Sequence, residues 1–226
     1  MKTTGKFPAE SIFASLDPQA VRTLEKSADV RHFQNGEWIV QYGDVWPYFF
    51  FVKSGEITAV KESYEGRSLT LTSLHAGDVF WGLAFFIQDA PMPASLRTVG
   101  ETEILLWSRE NLLPLFQKSG PLSWELSCLM IQRVQLASEI VEKLAFQPVA
   151  KRLAHFLVEI AGDTSGKFIA RNFTLDEMAA RVGTTREVVC RFLHRFSDQG
   201  LIEITRTEFS VMDRKGLEEL AKQSRG

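Results

Sequence analysis

The chain is poor in the residues that mark several functional classes. It has two cysteines, Cys128 and Cys190, in 226 residues. Two thiols cannot supply the usual four ligands of an iron–sulfur cluster, and neither stands in a Cys-x-x-Cys pair. Cys128 reads as a small apolar helix residue, and a disulfide joining it to a second copy would be exceptional in a reducing compartment. Histidine is also scarce, with only His32, His75, His155 and His194. No metal-ligand spacing, P-loop or nucleophile elbow occurs, so the expectation is no metal site and no enzyme. No apolar run is long enough to span a bilayer, and Met1–Pro8 lacks the apolar stretch of a secretory signal. A cytoplasmic protein with no membrane partner is expected.

What is present is an ordinary core-forming mixture, 45% hydrophobic and 24% charged. The net charge of −2 conceals an asymmetry: residues 1–146 hold 13 Lys and Arg against 17 Asp and Glu, and residues 147–226 hold 13 against 11. The second part is thus the more basic, and phosphate contacts must come from local placement rather than from overall charge.

Residues 173–196 carry the most information. Thr174 followed by Glu177 is a capping box at a helix start, Gly183 a turn, and Thr184 with Glu187 the same signature again. In the second helix Val189, Phe192, Leu193 and Phe196 recur at core-facing spacing. The opposite face offers Arg186, Glu187, Cys190 and Arg191. Arginine can donate two parallel hydrogen bonds to guanine O6 and N7, and glutamate can accept from cytosine N4. The pattern predicts a helix-turn-helix reading G·C-rich double-stranded DNA, with Thr174, Thr184, Thr185 and Arg195 completing the contact set. The plainer alternative is a helical hairpin with a solvated charged face.

Before this motif the texture is different. Short β runs at residues 38–40, 48–52, 57–60, 69–71 and 104–107 are punctuated at Asn35-Gly36, Gly43-Asp44, Ser54-Gly55, Glu65-Gly66 and Gly77-Asp78. This predicts an antiparallel barrel or sandwich. Short helices are expected after Ser11 and after Asp17-Pro18, and from Ser108 to about Gly120. Pro121 opens the longest helical pattern, running to about Phe146. Met130, Val134, Ala137, Val141 and Leu144 form a coiled-coil-like seam. A second row, Leu122, Leu126, Leu129, Leu136 and Ile140, is suited to the β domain. A homodimer through this helix is expected, burial in one large core being the alternative. Pro148 ends the helix, a helix at 150–161 and a loop at 162–166 follow, and two strands after Gly200 suggest a wing before a last helix at 217–222.

A glycine-punctuated β-roll, a long dimer helix and a C-terminal winged helix-turn-helix resemble the Crp/Fnr family of bacterial transcription regulators. The likeness rests on Thr174–Arg195, on Val134–Phe146 and on the series Gly36, Gly43-Asp44, Gly55, Gly77-Asp78. It implies an α+β fold: an antiparallel, cupin-like β-roll (a double-stranded β-helix) over 1–120, a dimerisation helix and hinge over 121–147, and a winged helix-turn-helix over 148–226. It also implies RNA polymerase as a partner. Arg186-Glu187-x-x-x-Arg191 is similar to the cyclic-AMP receptor branch and implies an inverted repeat of TGTGA-like half-sites. Cys190 replaces that branch's glycine.

The effector region departs from the family's nucleotide pattern. Nucleotide-binding members carry Gly-Glu for the ribose and Arg-Ser or Arg-Thr for the phosphate. Here Phe80–Phe86 contains no glutamate and Ala90–Ser95 no arginine. A cyclic phosphate would lose its bidentate partner, so cyclic AMP is not expected in the usual mode. Candidate effector residues are Trp81, Gly82, Leu83, Met92, Arg97, Arg133, Leu136 and Ala137. They suit a small apolar or aromatic molecule, or a small organic anion on Arg133, since Trp81-Gly82-Leu83 with Arg133 is similar to the 2-oxoglutarate-sensing members. Haem, bound by some members through an axial ligand, is a third reading. Core packing without any ligand is the fourth.

Overall fold

The apolar run at Tyr48–Val52 lacks polar alternation because both of its faces are covered. Phe49 and Phe51 sit in one core cluster and Phe50 and Val52 in another, each no more than 2% exposed. The computed structural model describes residues 7–8, 11–64, 67–162, 164, 166–171 and 173–222. The expected turn at Glu65-Gly66, and Asp163 and Ser165 of the expected loop, lie outside them. The chain divides into two units, residues 1–61 with 71–136, and residues 62–70 with 137–226.

Strands β1 (Asp29–Phe33), β2 (Trp38–Val40), β3 (Tyr48–Glu62), β4 (Ser68–His75), β5 (Val79–Trp81) and β6 (Ser95–Ser108), of which all but Glu62 and Ser68–Thr70 belong to the first unit, form one sheet in the order β1-β6-β3-β4. Strand β2 also pairs with β6, and β5 with β3, both antiparallel. The runs at 48–52 and 57–60 are one strand, since Ser54-Gly55 forms a bulge against β6 rather than a turn. Gly55 has φ +89°, and a Cβ there would lie 2.5 Å from the Glu101 carbonyl oxygen. Only glycine meets both conditions.

Helix α1 (Pro18–Ser27) starts as its sequence dictates: Asp17 accepts from the amides of Gln19 and Ala20 at 2.8 and 2.9 Å, with Pro18 at the first position. Residues 12–15 make only a 3-10 turn, and Ser11 supplies no side-chain cap. Helices α2 (Arg109–Lys118) and α3 (Gly120–Phe146) follow. One face of α3 is buried through Leu122 and Leu126, while Leu129 and Met130 pack at the edge of the same core. The Trp107 indole, also buried there, donates to the Leu24 carbonyl at 2.9 Å and so leaves no orphan donor.

The second unit contains α4 (Val149–Ala161), β7 (Ile169–Ala170), α5 (Leu175–Val182), α6 (Arg186–Asp198), β8 (Ile202–Ile204), β9 (Glu208–Val211) and α7 (Arg214–Lys222). The strands pair in the order β7-β9-β8. Their core is built from Leu153, Leu157, Met178, Val189, Leu193, Phe196, Phe209 and Leu217. No helix of the described residues is long and apolar enough to cross a membrane.

Candidate nucleic-acid interface and effector site

The second unit holds α5 and α6 as a rigid pair. The Thr174 hydroxyl accepts from the Glu177 amide at 3.1 Å, and the Glu177 carboxylate accepts from the Thr174 amide at 2.7 Å. Gly183 then takes the left-handed conformation, φ +72°, and a Cβ on it would fall 2.4 Å from Leu144 Cδ2. The amides of Gly183 and Thr184 both donate to the Ala179 carbonyl, at 2.9 and 3.0 Å. Thr184 is therefore tied to the end of α5, and the N-cap of α6 passes to Thr185. The expected Thr184–Glu187 capping box does not form. Instead the amide of Glu187 itself, and then the Thr185 hydroxyl, hold the Glu187 carboxyl below its usual range.

Val189, Leu193 and Phe196 bury one side of α6. Arg186, Glu187, Arg191, His194 and Arg195 are exposed on the other, with Cys190 half-buried among them. Thr184 and Thr185 are half-buried at the N-terminal end, and Thr174 is exposed at the start of α5. Guanidinium, carboxylate and guanidinium thus project together from the first turns of a helix whose back is packed. This is the donor and acceptor set for G·C edges in a major groove.

Three features here were not visible in the sequence motif. His194 continues the Arg186–Cys190 row by one turn. Arg206 is exposed at the turn between β8 and β9, where the Thr205 hydroxyl accepts from the Glu208 amide at 3.0 Å. A Thr-Arg-Thr turn between two short strands was the available signal. The third is Arg152 of α4. Its Nε donates to the Val182 carbonyl at 2.8 Å and its Nη2 to that of Gly183 at 3.2 Å. Its Nη1 donates to the carbonyls of Gln147 at 2.5 Å and Lys143 at 3.3 Å. One guanidinium thereby caps the C-termini of α3 and α5 together, and burial lowers its pKa.

In the first unit, Trp81 stacks on Phe49 with centroids 5.9 Å apart and also contacts Phe80 and Phe86. Arg133 reaches the same strand, donating from Nη2 to the Val79 carbonyl at 3.4 Å. Its Nε is buried without a hydrogen-bond partner. Burial lowers its pKa, and the nearby Asp78 carboxylate partly opposes that. Gly82 is explained by packing, because a Cβ would sit 1.9 Å from the Trp46 carbonyl oxygen. Leu83 is exposed on the 3-10 turn Leu83–Phe85, and Leu136 and Ala137 are exposed on α3.

Met92 and Arg97 stand apart from this group. Met92 is 1% exposed and belongs to the core of Val40, Phe50 and Leu96, whereas Trp81 packs on the other cluster. Arg97 is turned outward, donating to the Gly36 carbonyl at 2.8 Å and lying over the Trp38 ring. The four histidines are exposed on four different elements, β1, β4, α4 and α6. None of the four is buried, so no histidine offers the enclosed axial ligand that a haem takes.

On α3, Val134, Val141 and Leu144 of the expected seam are exposed, at 69, 65 and 37%. Met130 is not, being half-buried against the first unit's core, and the exposed residue at that level is Ile131 at 60%.

Comparison with known proteins follows the same division. Residues 30–119 match the cyclic nucleotide-binding domain and residues 151–220 the Crp-like helix-turn-helix domain. The chain is 27% identical to the cyclic AMP receptor protein of Thermus thermophilus, over 93% of this chain and 96% of that one. It is 25% identical to the CRP-like cAMP-activated global transcriptional regulator of Mycobacterium tuberculosis, over 95% and 96%. Among solved structures, a crp/fnr-family transcriptional regulator from Eubacterium rectale superposes with a TM-score of 0.80 at 24% identity, covering 96% of this chain and 99% of that one. The c-di-GMP responsive regulator CLP of Xanthomonas campestris gives 0.76 at 20%, covering 87% and 99%. These last two likenesses establish the fold.

Proposed function

We propose a mechanism from the premise that the chain belongs to the Crp/Fnr family of effector-responsive, DNA-binding transcription regulators. In it, α6 enters the major groove and reads TGTGA-like half-sites of an inverted repeat. The observation that carries this reading is the placement of Arg186, Glu187 and Arg191 on the exposed face of a helix packed on its other side. Arg186 and Arg191 pair with guanines and Glu187 accepts from a cytosine. Thr174, Thr184, Thr185 and Arg195 hold the phosphates, fixing register without reading bases. Cys190 faces the base step at which the operator departs from the family's consensus.

Two copies join through α3, along Ile131, Val134, Val141 and Leu144, with Ala137 between them. An apolar stripe of this exposure calls for a partner. The pairing sets two recognition helices about 34 Å apart, one DNA turn. Bound in this way in the cytoplasm, the dimer recruits or blocks RNA polymerase.

The effector reading that the first unit supports best is a small organic anion on Arg133, beside the aromatic wall of Trp81. A buried guanidinium with a free Nε still has an acceptor to gain. Cyclic AMP binding in the relatives' manner is disfavoured, because the segments around Trp81 and Met92 lack the glutamate and arginine of the nucleotide pattern. An anion that binds one dimer arrangement better shifts the population by that difference in affinity and by no more.

The test is titration of a TGTGA inverted-repeat duplex and a scrambled one, each alone, with cyclic AMP and with 2-oxoglutarate. Selective binding enhanced by the dicarboxylate and indifferent to cyclic AMP is expected. Binding that appears only with cyclic AMP overturns the effector reading. Arg186→Ala should cost about 1–3 kcal/mol on the repeat and relax base choice at one position. Full discrimination by Arg186→Ala removes α6 as the reading element.

A further inference from the structure

Arg186 does not stand free at the start of α6. Its Nη1 donates to Asp176 Oδ2 at 3.3 Å, across the turn of the helix-turn-helix and ten positions back in the chain. Both side chains are open to solvent, Arg186 at 57% and Asp176 at 69%. The neighbouring carboxylate of Glu177 is committed to the Thr174 capping box. Asp176 is therefore the acid of this first turn that faces the recognition helix.

We propose that Asp176 is a positioning and specificity-determining residue for DNA reading, acting through Arg186. The inference rests on the assignment of Arg186 as a base reader. Guanidinium geometry supports it. A carboxylate on Nη1 fixes the plane of the group and leaves the Nε–Nη2 edge free, and one edge with two parallel N–H groups is what guanine O6 and N7 accept. An unheld arginine must lose its rotamer freedom on binding, whereas one held by Asp176 has lost part of it already.

The second effect is electrostatic. The N-terminus of a helix attracts phosphate through its free amides and dipole. Asp176 places a negative charge in the first turn of α5, beside the surface that meets the DNA backbone. It weakens binding to any duplex alike. A uniform loss leaves the ratio of operator to bulk DNA unchanged. What widens the gap is the hold on Arg186: while Asp176 occupies its Nη1 the guanidinium is kept from a phosphate on unmatched DNA and presented to guanine on the matched site, without an added base contact.

The experiment uses the full-length protein and a duplex selected by it from a random pool, so the operator need not be known beforehand. Affinities are measured for that duplex, for its single G·C→A·T variants and for a scrambled duplex, across a salt series. Asp176→Asn removes the charge and keeps the shape, and the exposure of the side chain predicts a melting temperature close to wild type. The scrambled duplex should bind Asp176→Asn several-fold more tightly, and the ratio of selected to scrambled affinity should fall about three- to tenfold. The salt slope on scrambled DNA should steepen by up to about one, because Arg186 is freed for a phosphate. In the Arg186→Ala background, Asp176→Asn should leave base discrimination unchanged, and Asp176→Glu, which keeps the charge, should restore part of the ratio in the Arg186 protein.

An unchanged ratio in Asp176→Asn overturns the proposal, as does an equal loss with and without Arg186. If Arg186→Ala itself retains discrimination, it is the base-reading assignment that has failed. A loss of discrimination in Arg186→Ala beside an indifferent Asp176→Asn keeps that assignment and rejects the role of Asp176.

Discussion

Removing the Arg152 guanidinium should loosen the turn of the helix-turn-helix and the end of α3 at once. In the structure this group donates to four carbonyls, those of Lys143 and Gln147 at the end of α3 and of Val182 and Gly183 at the end of α5. The carbonyls of Gln147, Val182 and Gly183 lie at helix ends, where no further turn supplies a donor, whereas that of Lys143 also accepts from the Gln147 amide at 3.0 Å. A hydrogen bond with a charged partner contributes about 1.5–3 kcal/mol, but four made by one group are not additive. Water replaces part of the loss, since the site is not fully enclosed. An Arg152→Met variant, which keeps most of the stem volume, should therefore lose about 2–3 kcal/mol from the second unit. For a domain of this size that lowers the melting temperature by roughly 8–24 °C. Arg152→Lys should recover less than half, because an ammonium lacks the planar fork that serves two helix ends together. Calorimetry gives the magnitude, and amide exchange gives the place: the amides of Gly183 and Thr184 should lose protection before the α4–α7 core does. A melting temperature within 2 °C of wild type for Arg152→Met, a range set by the same scaling, would refute the clamp. So would full rescue by lysine.

Three further outcomes follow from the same geometry. Gly183→Ala forces a Cβ into a φ of +72° and against Leu144 Cδ2 at 2.4 Å, and should lose about 2–3 kcal/mol in denaturant titrations. Glu187 is held below its reference value of 4.5 by its own amide and by the Thr185 hydroxyl. A depressed carboxyl pKa adds stability above the unfolded value and loses it as pH falls through the folded one. Base discrimination should therefore hold from neutral pH down to the ordinary carboxylate range, and Thr185→Ala should raise the Glu187 midpoint in an NMR titration. If α3 pairs with a second copy, Ile131→Glu should yield monomers in sedimentation, while Met130→Glu should chiefly unfold the first unit.

Much of this architecture was legible in the sequence where its cause is local. Thr174 with Glu177, Gly183, and Asp17 with Pro18 mark their helix ends because a cap is chemistry within four residues. The α6 cap was misplaced by one residue for the same reason: Thr184 has the side chain of an N-cap, but its amide is held by Ala179 at the end of α5. Glycine is ambiguous in a similar way. Gly55 looks like the hinge between two strands, and only the partner strand decides that it is a bulge in one. The α3 helix offers two overlapping apolar registers. Burial of Met130 beside Leu126 selects Ile131 for the open face, which no periodicity within the helix could do.

What the sequence hid is set by contacts between segments. Arg152 is 30 and 31 residues from the carbonyls it caps on α5, and read alone it is one more cation on an amphipathic helix. Arg97 and Met92 show the reverse: their positions suggested an effector, and tertiary partners, the Gly36 carbonyl and the Phe50 cluster, account for them. The Arg133 guanidinium carries the opposite balance. Burial works against its charge, the Asp78 carboxylate and one carbonyl at 3.4 Å answer it in part, and its Nε has no hydrogen-bond partner. A cation kept in that state costs stability, and an anion that completes its bonding recovers it. Arg133→Met should accordingly leave the first unit as stable as before or more so, while abolishing the response to any anionic effector. A clear drop in melting temperature for Arg133→Met would show instead that the arginine is held for structure, and the effector would have to be sought elsewhere in the β-roll.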